Sequence, residues 1–374
     1  MRVSILHDEL DGRGGAMVVA LTRSLLRSGE RPIKYKPRSK AEREFLARHE
    51  ERARQYAGLG LVEIAAECIV HRGRITMHNA AKIITRAFES TSDFPNIFEN
   101  VLNKVLLARY ELHMPTYRQV AAERPFNDFR PHPQVRAGEF PPLQPVTETG
   151  ELMYGTSNDY GTNVTLVPYG VVFPISRQML VNDELGAIDQ ILGSAGRIVS
   201  IFENQTFWSL VLSNPVLTED NTAVFATAHG NLAGAGASPS VTTYGSARAA
   251  LRAMKTPDGN YFLNVEPRIV VTGPYQETAA EQMRTRIAPV LTTSVNPFED
   301  VELVTEPAIT DTSWYLLADP DEQPNFIFGN LKGSDGPRIR IFEPFGYQGL
   351  KISVEEDFGA GAIDFRGAYK NPGA

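Results

Sequence analysis

A catalytic site in this 374-residue chain would need a nucleophile beside a base, and His229 is the candidate base. It stands directly before Gly230, and its partner nucleophile would be Ser176 or Ser209. Neither serine lies in a GxSxG motif. A histidine that makes hydrogen bonds within a turn accounts for the same residue more simply. We therefore predict no catalytic residue and no enzyme activity.

Glycine-rich segments that could cradle a phosphate group are the next candidates. Lys332 precedes Gly333 and Ser334, which is the wrong order for a Walker loop. The run GNLAGAGAS at 230–238 lacks the dinucleotide-binding fingerprint and the strand–helix setting which that fingerprint requires. We predict that this run is a loop and that the chain binds no cofactor.

Metal ligands are scarce in the sequence. The seven histidines show no HExxH or paired spacing, at positions 7, 49, 71, 78, 113, 132 and 229. Cys68 is the only cysteine, which excludes an internal disulfide and a thiolate zinc cage. We predict that it is a buried structural residue. Two carboxylate pairs are predicted to be solvated loop charges, Asp319 with Asp321 and Glu355 with Asp357. No metal site is predicted.

The composition is typical of a folded soluble subunit. Hydrophobic residues make up 42% of the chain and charged residues 22%, which are ordinary proportions. The net charge of -7 excludes a protein that clamps nucleic acid over its whole surface. No membrane span is predicted. The apolar segment 17–26 contains Arg23 and is predicted to form a short amphipathic helix ended by Gly29.

Residues 1–60 differ from the rest of the chain in charge. Basic residues outnumber acidic ones within 31–56. Apolar anchors are few, Phe45 and Leu46 being the clearest, so a helix here is expected to gain little stability from packing. We predict a solvated, partly disordered arm. The alternative is an arm that contacts nucleic acid or a partner protein.

The longest stretch with a helical period runs from 182 to 212. Apolar residues recur every three or four positions, at Leu185, Ile188, Leu192, Ala195, Val199, Phe202, Phe207 and Leu210. Asn182 or Asp183 is the predicted N-cap. At about 1.5 Å per residue the helix would be roughly 45 Å long. The spacing predicts a long core helix around which the other elements pack.

The segments before this helix change from helical to extended. Three helices are predicted within 61–111. Prolines recur along 113–168 and exclude a central sheet strand, which favours a long extended loop or hairpin. Short strand-like pieces are predicted at 116–121 and 164–167. A buried strand is predicted at 169–175.

Helices and strands alternate after residue 212. Helices are predicted at 246–255 and 276–287, and strands at 268–272, 301–306, 314–318, 325–328, 338–342 and 350–355. Residues 363–366 then lead into a tail rich in glycine and proline. This mixture, with helices and strands segregated, predicts an α+β fold.

Five stretches of the sequence carry a resemblance to a known family. They are TSDFPNIFENVLNKVLLARYE at 91–111, YGVVFPISRQMLVNDELGAI at 169–188, AHGNLAGAG at 228–236, ETAAEQM at 277–283 and DFGAGAIDFRGAYKNPGA at 357–374. In these stretches the chain resembles tailed-phage major capsid proteins of the Mu-like major head subunit type, which have the Hong Kong 97-like fold. The resemblance covers about residues 61–374.

The resemblance implies a subunit with named parts. These are a basic N-terminal arm or scaffolding-like segment at 1–60, N-terminal arm helices at 61–112, an extended loop (E-loop) at 113–168, a peripheral domain at 169–245 with a spine helix at 183–212, an axial domain at 246–340, and a return to the peripheral domain with a C-terminal tail at 341–374.

The resemblance also implies a function. The chain would be a major capsid (head) protein that self-assembles into hexamers and pentamers of an icosahedral shell around phage double-stranded DNA. Its expected partners are copies of itself, a scaffold, a portal, a maturation protease, and packaged DNA contacted by basic residues within 31–56. It would be located in the virion head, assembled in the cytoplasm of a bacterial host.

The chain departs from some members of the family in one respect, and two alternative functions stay open. No lysine lies between His132 and Val181. Covalent crosslinking through an E-loop lysine, which some members of this fold use, is therefore not expected. The alternatives are an encapsulin-like nanocompartment shell protein and a capsid-maturation protease or hydrolase.

Overall fold

The structure is a computed structural model that describes residues 12–28, 33–37, 39–71, 73–90, 93–136, 160–176, 178, 185–257, 259–284, 301–334, 336–342 and 349–374. The chain divides into two compact units. The first comprises Met1–Met114, Pro168–Phe202 and Asn330–Asp357, and the second comprises Pro115–Val167, Glu203–Gly329 and Phe358–Ala374.

The mixture of helices and strands confirms the predicted α+β class. In chain order the described helices are α1 (Gly12–Ser28), α2 (Lys40–Ala53), α3 (Leu61–Cys68), α4 (Met77–Ser90), α5 (Asp93–Tyr110), α6 (Tyr117–Val120), α7 (Leu185–Leu212), α8 (Val241–Arg252) and α9 (Glu277–Arg284). The described strands are β1 (Ala122–Glu123), β2 (His132–Arg136), β3 (Tyr160–Val164), β4 (Val167–Ser176), β5 (Pro267–Thr272), β6 (Glu302–Thr305), β7 (Trp314–Ala318), β8 (Phe326–Asn330), β9 (Arg338–Phe342), β10 (Gly349–Ala362) and β11 (Ala368–Asn371).

The N-terminal helices pack into the first unit. Helix α1 confirms the helix predicted at 17–26, whereas the predicted solvated arm is wrong for residues 39–56. Helix α1 packs against α5 and buries Met17, Leu21 and Leu25. Helix α2 begins at its N-cap Ser39 and packs against α1. The sequence suggested too few anchors for α2 because it does not show that α1 supplies an apolar surface for it.

A buried ion pair also fixes α2. Lys104 Nζ donates to Glu42 Oε1 at 3.0 Å, and both side chains are largely buried. The aromatic rings of Tyr35 and Phe45 lie 5.5 and 5.2 Å from the ammonium group. Burial lowers the pKa of Lys104, and the attraction of Glu42 opposes that shift. Glu42 of α2 can therefore be largely buried, because Lys104 on α5 neutralises its charge.

Helix α7 confirms the predicted long helix, although 182–184 and the proposed N-cap lie outside the described residues. Within the first unit it buries Ile188 and Leu192 in the core that α1 and α5 share. Two glycines face α5 at different distances. A Cβ added at Gly196 would lie 2.8 Å from the backbone nitrogen of Tyr110, whereas one at Gly193 would lie 3.8 Å from the nearest atom of Arg109.

We expect these two glycines to respond in opposite directions to alanine. Gly196→Ala should lower the free energy of unfolding by about 1–3 kcal/mol, because backbone atoms of α5 must move. Gly193→Ala should raise it by about 0.5–1 kcal/mol, because alanine is the better helix former and the site has room. Urea denaturation of both variants measures the difference. Equal effects would show that α7 does not approach α5 closely at Gly196.

Two carboxylates predicted to be solvated lie in strand β10 of the first unit instead. Strand β9 pairs antiparallel with β10, with Arg338 opposite Glu355. Arg338 donates to Glu355 Oε2 at 3.1 Å and to the buried carboxylate of Asp357. The prediction is wrong because the arginine that pairs with both lies on the neighbouring strand, which the sequence pattern does not reveal.

The second unit contains a sheet in the order β11-β7-β5-β6. Strand β5 pairs parallel with β6 and antiparallel with β7, and β7 pairs antiparallel with β11. The residues of β7 are all buried, from Trp314 to Ala318, as the apolar run predicted. Strand β11 lies in the predicted glycine- and proline-rich tail and was missed, because its edge position is set by distant β7.

The extended segment is described at its base only. Strands β2 and β3 pair antiparallel, from His132 opposite Val164 to Arg136 opposite Tyr160. They confirm a hairpin, while residues 137–159 of the extended segment predicted at 113–168 lie outside the described residues. The predicted strand-like piece at 116–121 is wrong, because α6 occupies it. Tyr117 of α6 is fully buried, and its hydroxyl donates to Glu203 Oε2 at 2.8 Å.

Candidate assembly surface

Strand β4 presents apolar side chains to solvent along most of its length. Val171, Val172 and Phe173 are 63%, 51% and 41% exposed, and only Ile175 of this strand is buried. Successive residues of a strand point to opposite faces, so both faces of β4 carry exposed apolar groups. The prediction of a buried strand at 169–175 is therefore right about the strand and wrong about its burial in the single subunit.

Among the strands that the structure describes, one edge of β4 has no strand partner. The strand pairs with β10 and stands at the end of the strand order of its sheet. A long apolar edge strand is a template for association with another chain. Pro168 and Pro174 lack an N–H group and limit the backbone bonds that this edge can donate. The exposed valine and phenylalanine side chains therefore offer most of the surface for association.

Helix α7 adds two apolar residues to the exposed surface of the first unit. Ile198 and Ile201 are each about half exposed. The aromatic rings of Tyr169 and Phe202 meet edge to face with centroids 4.5 Å apart, which places β4 beside this part of α7. We name Val171, Val172, Phe173, Ile198 and Ile201 the β4–α7 patch.

A second exposed apolar group lies in the second unit. Tyr261, Phe262 and Tyr275 are at least half exposed. Lys255 and Phe262 form an isolated antiparallel bridge, and the lysine ammonium lies 5.6 Å from the phenylalanine ring. Exposed tyrosine and phenylalanine are enriched at protein interfaces, so the loop with Tyr261 and Phe262 is a further candidate contact, and Tyr275 is another.

His229 makes the turn hydrogen bonds that the sequence favoured. Its Nδ1 lies 3.1 Å from the carbonyl oxygen of Val224, and its Nε2 lies 2.6 Å from Asp220 Oδ2. The imidazole stacks on Phe365 with ring centroids 3.7 Å apart. Both ring nitrogens are occupied, so neither is available to activate Ser209 of the same unit. None of the contacts that the described residues make with His229 comes from a serine side chain.

The Asp220–His229 pair predicts an acid-dependent loss of stability. Burial tends to raise the pKa of Asp220, but hydrogen bonds from His229 and Thr222 outweigh burial and hold that pKa below its ordinary value of 3.8. A depressed folded-state pKa contributes stability above the unfolded-state pKa, which is lost as pH falls through the folded-state value. Asp220→Asn should therefore destabilise the protein at pH 5.

Unfolding of Asp220→Asn and of the parent chain, followed from pH 5 to pH 2, tests this prediction. The difference between their free energies of unfolding should shrink once the pH falls below 3.8, because the parent's carboxylate is then protonated. A difference that stays constant over this range would show that Asp220 contributes by packing or neutral hydrogen bonding only.

Two other candidate residues, Asp319 and Cys68, have structural partners. Asp319 pairs with Arg268, which corrects its prediction as a solvated charge. Cys68 is half-buried rather than buried, with its Sγ 4.0 Å from the sulfur of Met17. Within the described residues no cluster of three or more His, Cys, Asp or Glu side chains could hold a metal ion. None of the helices that the structure describes is long and apolar enough to cross a membrane.

The family model for phage capsid proteins matches residues 159–371, which is 213 of the 374 residues. This chain belongs to the phage capsid protein family. The match begins before β4 and ends at the last residue of β11, so it includes the β4–α7 patch. The exposed strand is thus part of a subunit whose relatives form capsids.

Solved structures similar to this capsid family member are distant from it. One labelled Microbacterium phage Oxtober96 is 9% identical with a TM-score of 0.48, and covers 70% of this chain and 91% of its own. The capsid structure of cyanophage P-SCSP1u is 10% identical with a TM-score of 0.45, covering 69% and 88%. A virus-like particle from Pyrococcus furiosus is 12% identical with a TM-score of 0.42, covering 73% and 99%. No curated protein sequence matches the chain.

Sequence patterns alone could not have located the β4–α7 patch in this capsid protein. An apolar strand has the same pattern whether a neighbouring element or a neighbouring subunit covers it. The two prolines that flank its exposed residues, Pro168 and Pro174, were the available signal, because proline is confined to edge strands and bulges.

Proposed function

We propose that this phage capsid protein is the major subunit of an icosahedral head, in which hexamers and pentamers close around double-stranded DNA. The observation that carries the proposal is the exposed β4–α7 patch in a member of the capsid family. Its side chains all lie on the first unit. Three of them belong to β4, which stands at the end of the described strand order, and these three leave apolar groups exposed on both strand faces. In a shell, a neighbouring copy of the chain would cover this patch on every subunit.

The energetics favour many weak contacts. Full burial of a valine or phenylalanine side chain is worth about 1.5–3 kcal/mol relative to full exposure, so these half-exposed residues can each add roughly 1 kcal/mol. One such contact would be weak after the entropy cost of association. A closed shell makes the contacts cooperative, because each subunit holds several neighbours at once.

The parts of the subunit are proposed from the resemblance to the Hong Kong 97-like fold. Helix α7 would be the spine helix, and the β2–β3 hairpin would be the base of the E-loop. The exposed aromatic loop with Tyr261 and Phe262 lies within the proposed axial domain at 246–340, where subunits would meet at the centre of each hexamer or pentamer. The Mu-like type and the domain boundaries remain predictions.

We propose that the subunit works without catalysis. The occupied ring nitrogens of His229 support this, and the family is one of structural proteins. A scaffold, a portal and a maturation protease are proposed partners. Assembly is proposed to take place in the bacterial cytoplasm. An encapsulin-like compartment is the alternative. It would enclose a protein cargo rather than DNA.

Sedimentation velocity with nuclease treatment tests the proposed function. Purified protein from cells that also make its phage partners should sediment as large particles whose DNA resists nuclease. Particles without DNA but with a co-purifying protein would favour the compartment. A single slow species of monomer or dimer size in the same preparation would contradict assembly altogether.

A further inference from the structure

A concavity of about 510 Å³ lies on the first unit, at the surface of α1. Its walls include α1 and the 3-10 turn Arg54–Tyr56 that follows α2. The polar and charged side chains that line it are Arg23, Ser24, Arg27, Glu50 and Arg54. The lining carries three arginines and one glutamate, although the net charge of the whole chain is -7. We name this concavity the arginine cradle.

Glu50 is the one carboxylate in the described lining of the cradle, and its charge attracts Arg54 as well as Arg23. Arg23 donates to both oxygens of Glu50, at 2.9 and 2.7 Å. Among the described residues, neither Arg27 nor Arg54 forms an ion pair. The cradle therefore keeps an excess of about two positive charges. The bidentate pair with Glu50 fixes the position of Arg23.

The spacing of the cradle suits an anion with several oxygens. Arg23 and Arg27 are four residues apart on α1, so they project on the same side of the helix about one turn apart. Ser24 also lines the cradle. Arginine offers a planar fork of donors that matches phosphate oxygens, and a serine hydroxyl adds a neutral donor.

The charge of the surrounding segment favours nucleic acid over a small anion. Residues 1–60 contain thirteen lysines and arginines and eight aspartates and glutamates, a net charge of +5. Because the whole chain carries -7, the remaining 314 residues carry -12. A polyanion gains from the long-range field of this segment as well as from the cradle, whereas a single phosphate gains mainly from the cradle.

We infer that the arginine cradle binds backbone phosphates of nucleic acid. The inference deepens the proposed function, since it rests on DNA as the content of the shell. It also revises the expected DNA contact. Two cradle arginines, Arg23 and Arg27, precede the predicted basic range 31–56, and the third, Arg54, lies near its end.

Binding of a fluorescent 20-base-pair duplex to the purified full-length chain, measured by anisotropy over a salt series, tests the cradle. Arg27→Gln with Arg54→Gln should weaken binding on the order of tenfold or more at 0.1 M salt. The slope of log affinity against log salt should fall by about 1.8, which is about 0.9 for each phosphate that is no longer neutralised. Arg43→Gln with Arg48→Gln, two exposed α2 arginines outside the cradle, removes the same charge and should change both quantities much less.

A third variant separates binding from structural damage. Glu50→Gln frees Arg23 from its carboxylate and should strengthen duplex binding, whereas a variant that merely damages the fold would weaken it. Equal losses in the two double variants, or weaker binding by Glu50→Gln, would overturn the cradle. Competition by inorganic phosphate at concentrations that leave ionic strength unchanged would show a small-anion site instead and would also overturn it.

These outcomes are independent of shell formation. Duplex binding is measured on the unassembled chain, and sedimentation reports assembly. If shells form normally but Arg27→Gln with Arg54→Gln leaves duplex binding unchanged, only the inference about the cradle is refuted. If the cradle variant loses duplex affinity but the chain never assembles, only the proposed function as a shell subunit is refuted.

Discussion

Replacing Val171 and Phe173 with glutamate is expected to abolish particle assembly and leave the subunit folded. Both side chains are exposed in the single subunit, so the free energy of unfolding should change by no more than about 0.5 kcal/mol. In a subunit contact, each glutamate would lose its water without gaining a partner, at a cost of several kcal/mol. Because this cost recurs at every copy of the contact, no particles should form.

Sedimentation velocity measures assembly, and a thermal melt measures the fold. Val216→Glu is the matched control, because Val216 is 61% exposed and belongs to the second unit, whereas the β4–α7 patch belongs to the first. The control should still assemble. If the Val171→Glu and Phe173→Glu double variant forms normal particles, β4 does not take part in the contact between subunits. Equal loss in the control would show that assembly is sensitive to any added surface charge.

Arg109→Met should be the most damaging single change within the first unit. Arg109 Nε and its terminal nitrogen donate to the two oxygens of Asp189, at 3.1 and 2.6 Å. Both side chains are over nine-tenths buried, and the pair joins α5 to α7. Removing the arginine leaves a buried carboxylate without its cation, which costs about 3–5 kcal/mol. Urea denaturation followed by circular dichroism measures this loss.

The matched control for this prediction replaces both partners. Arg109→Met with Asp189→Leu leaves no buried charge, and apolar side chains of similar volume should recover most of the lost stability. The contrast separates the cost of an unpaired charge from the cost of altered packing. If the double variant is as unstable as Arg109→Met, packing around the arginine stem rather than the charge holds α5 to α7.

Local patterns in the sequence were enough to predict the elements whose burial is complete within the subunit. The apolar period of α7 predicted a long helix because one face meets a core, as Ile188 and Leu192 do. The run at 314–318 predicted β7 because all five residues are buried. In both cases, the pattern and the packing arise from the same chain segment.

Features that depend on distant partners could not be predicted in this way. Lys104 and Glu42 stabilise α2 across 62 residues of sequence, and Arg338 satisfies Asp357 from a neighbouring strand. Strand β11 exists because β7 offers it an edge. Each of these pairings joins segments that are separate in sequence, so charge and composition alone suggested solvated or irregular structure.

The candidate assembly surface shows a further limit of sequence patterns. The motif around β4 carried the resemblance to capsid proteins, and the family match supports that resemblance over 159–371. Its apolar residues nevertheless predicted burial within one subunit. The pattern is compatible with burial, but the single subunit does not provide the covering surface, and a second copy is the proposed source.

Electron microscopy of the purified chain tests the central claim most directly. The account predicts closed particles of icosahedral symmetry, in which the subunits cluster around fivefold and sixfold positions. Fields that contain only monomers or dimers, with and without a co-expressed scaffold, would contradict it.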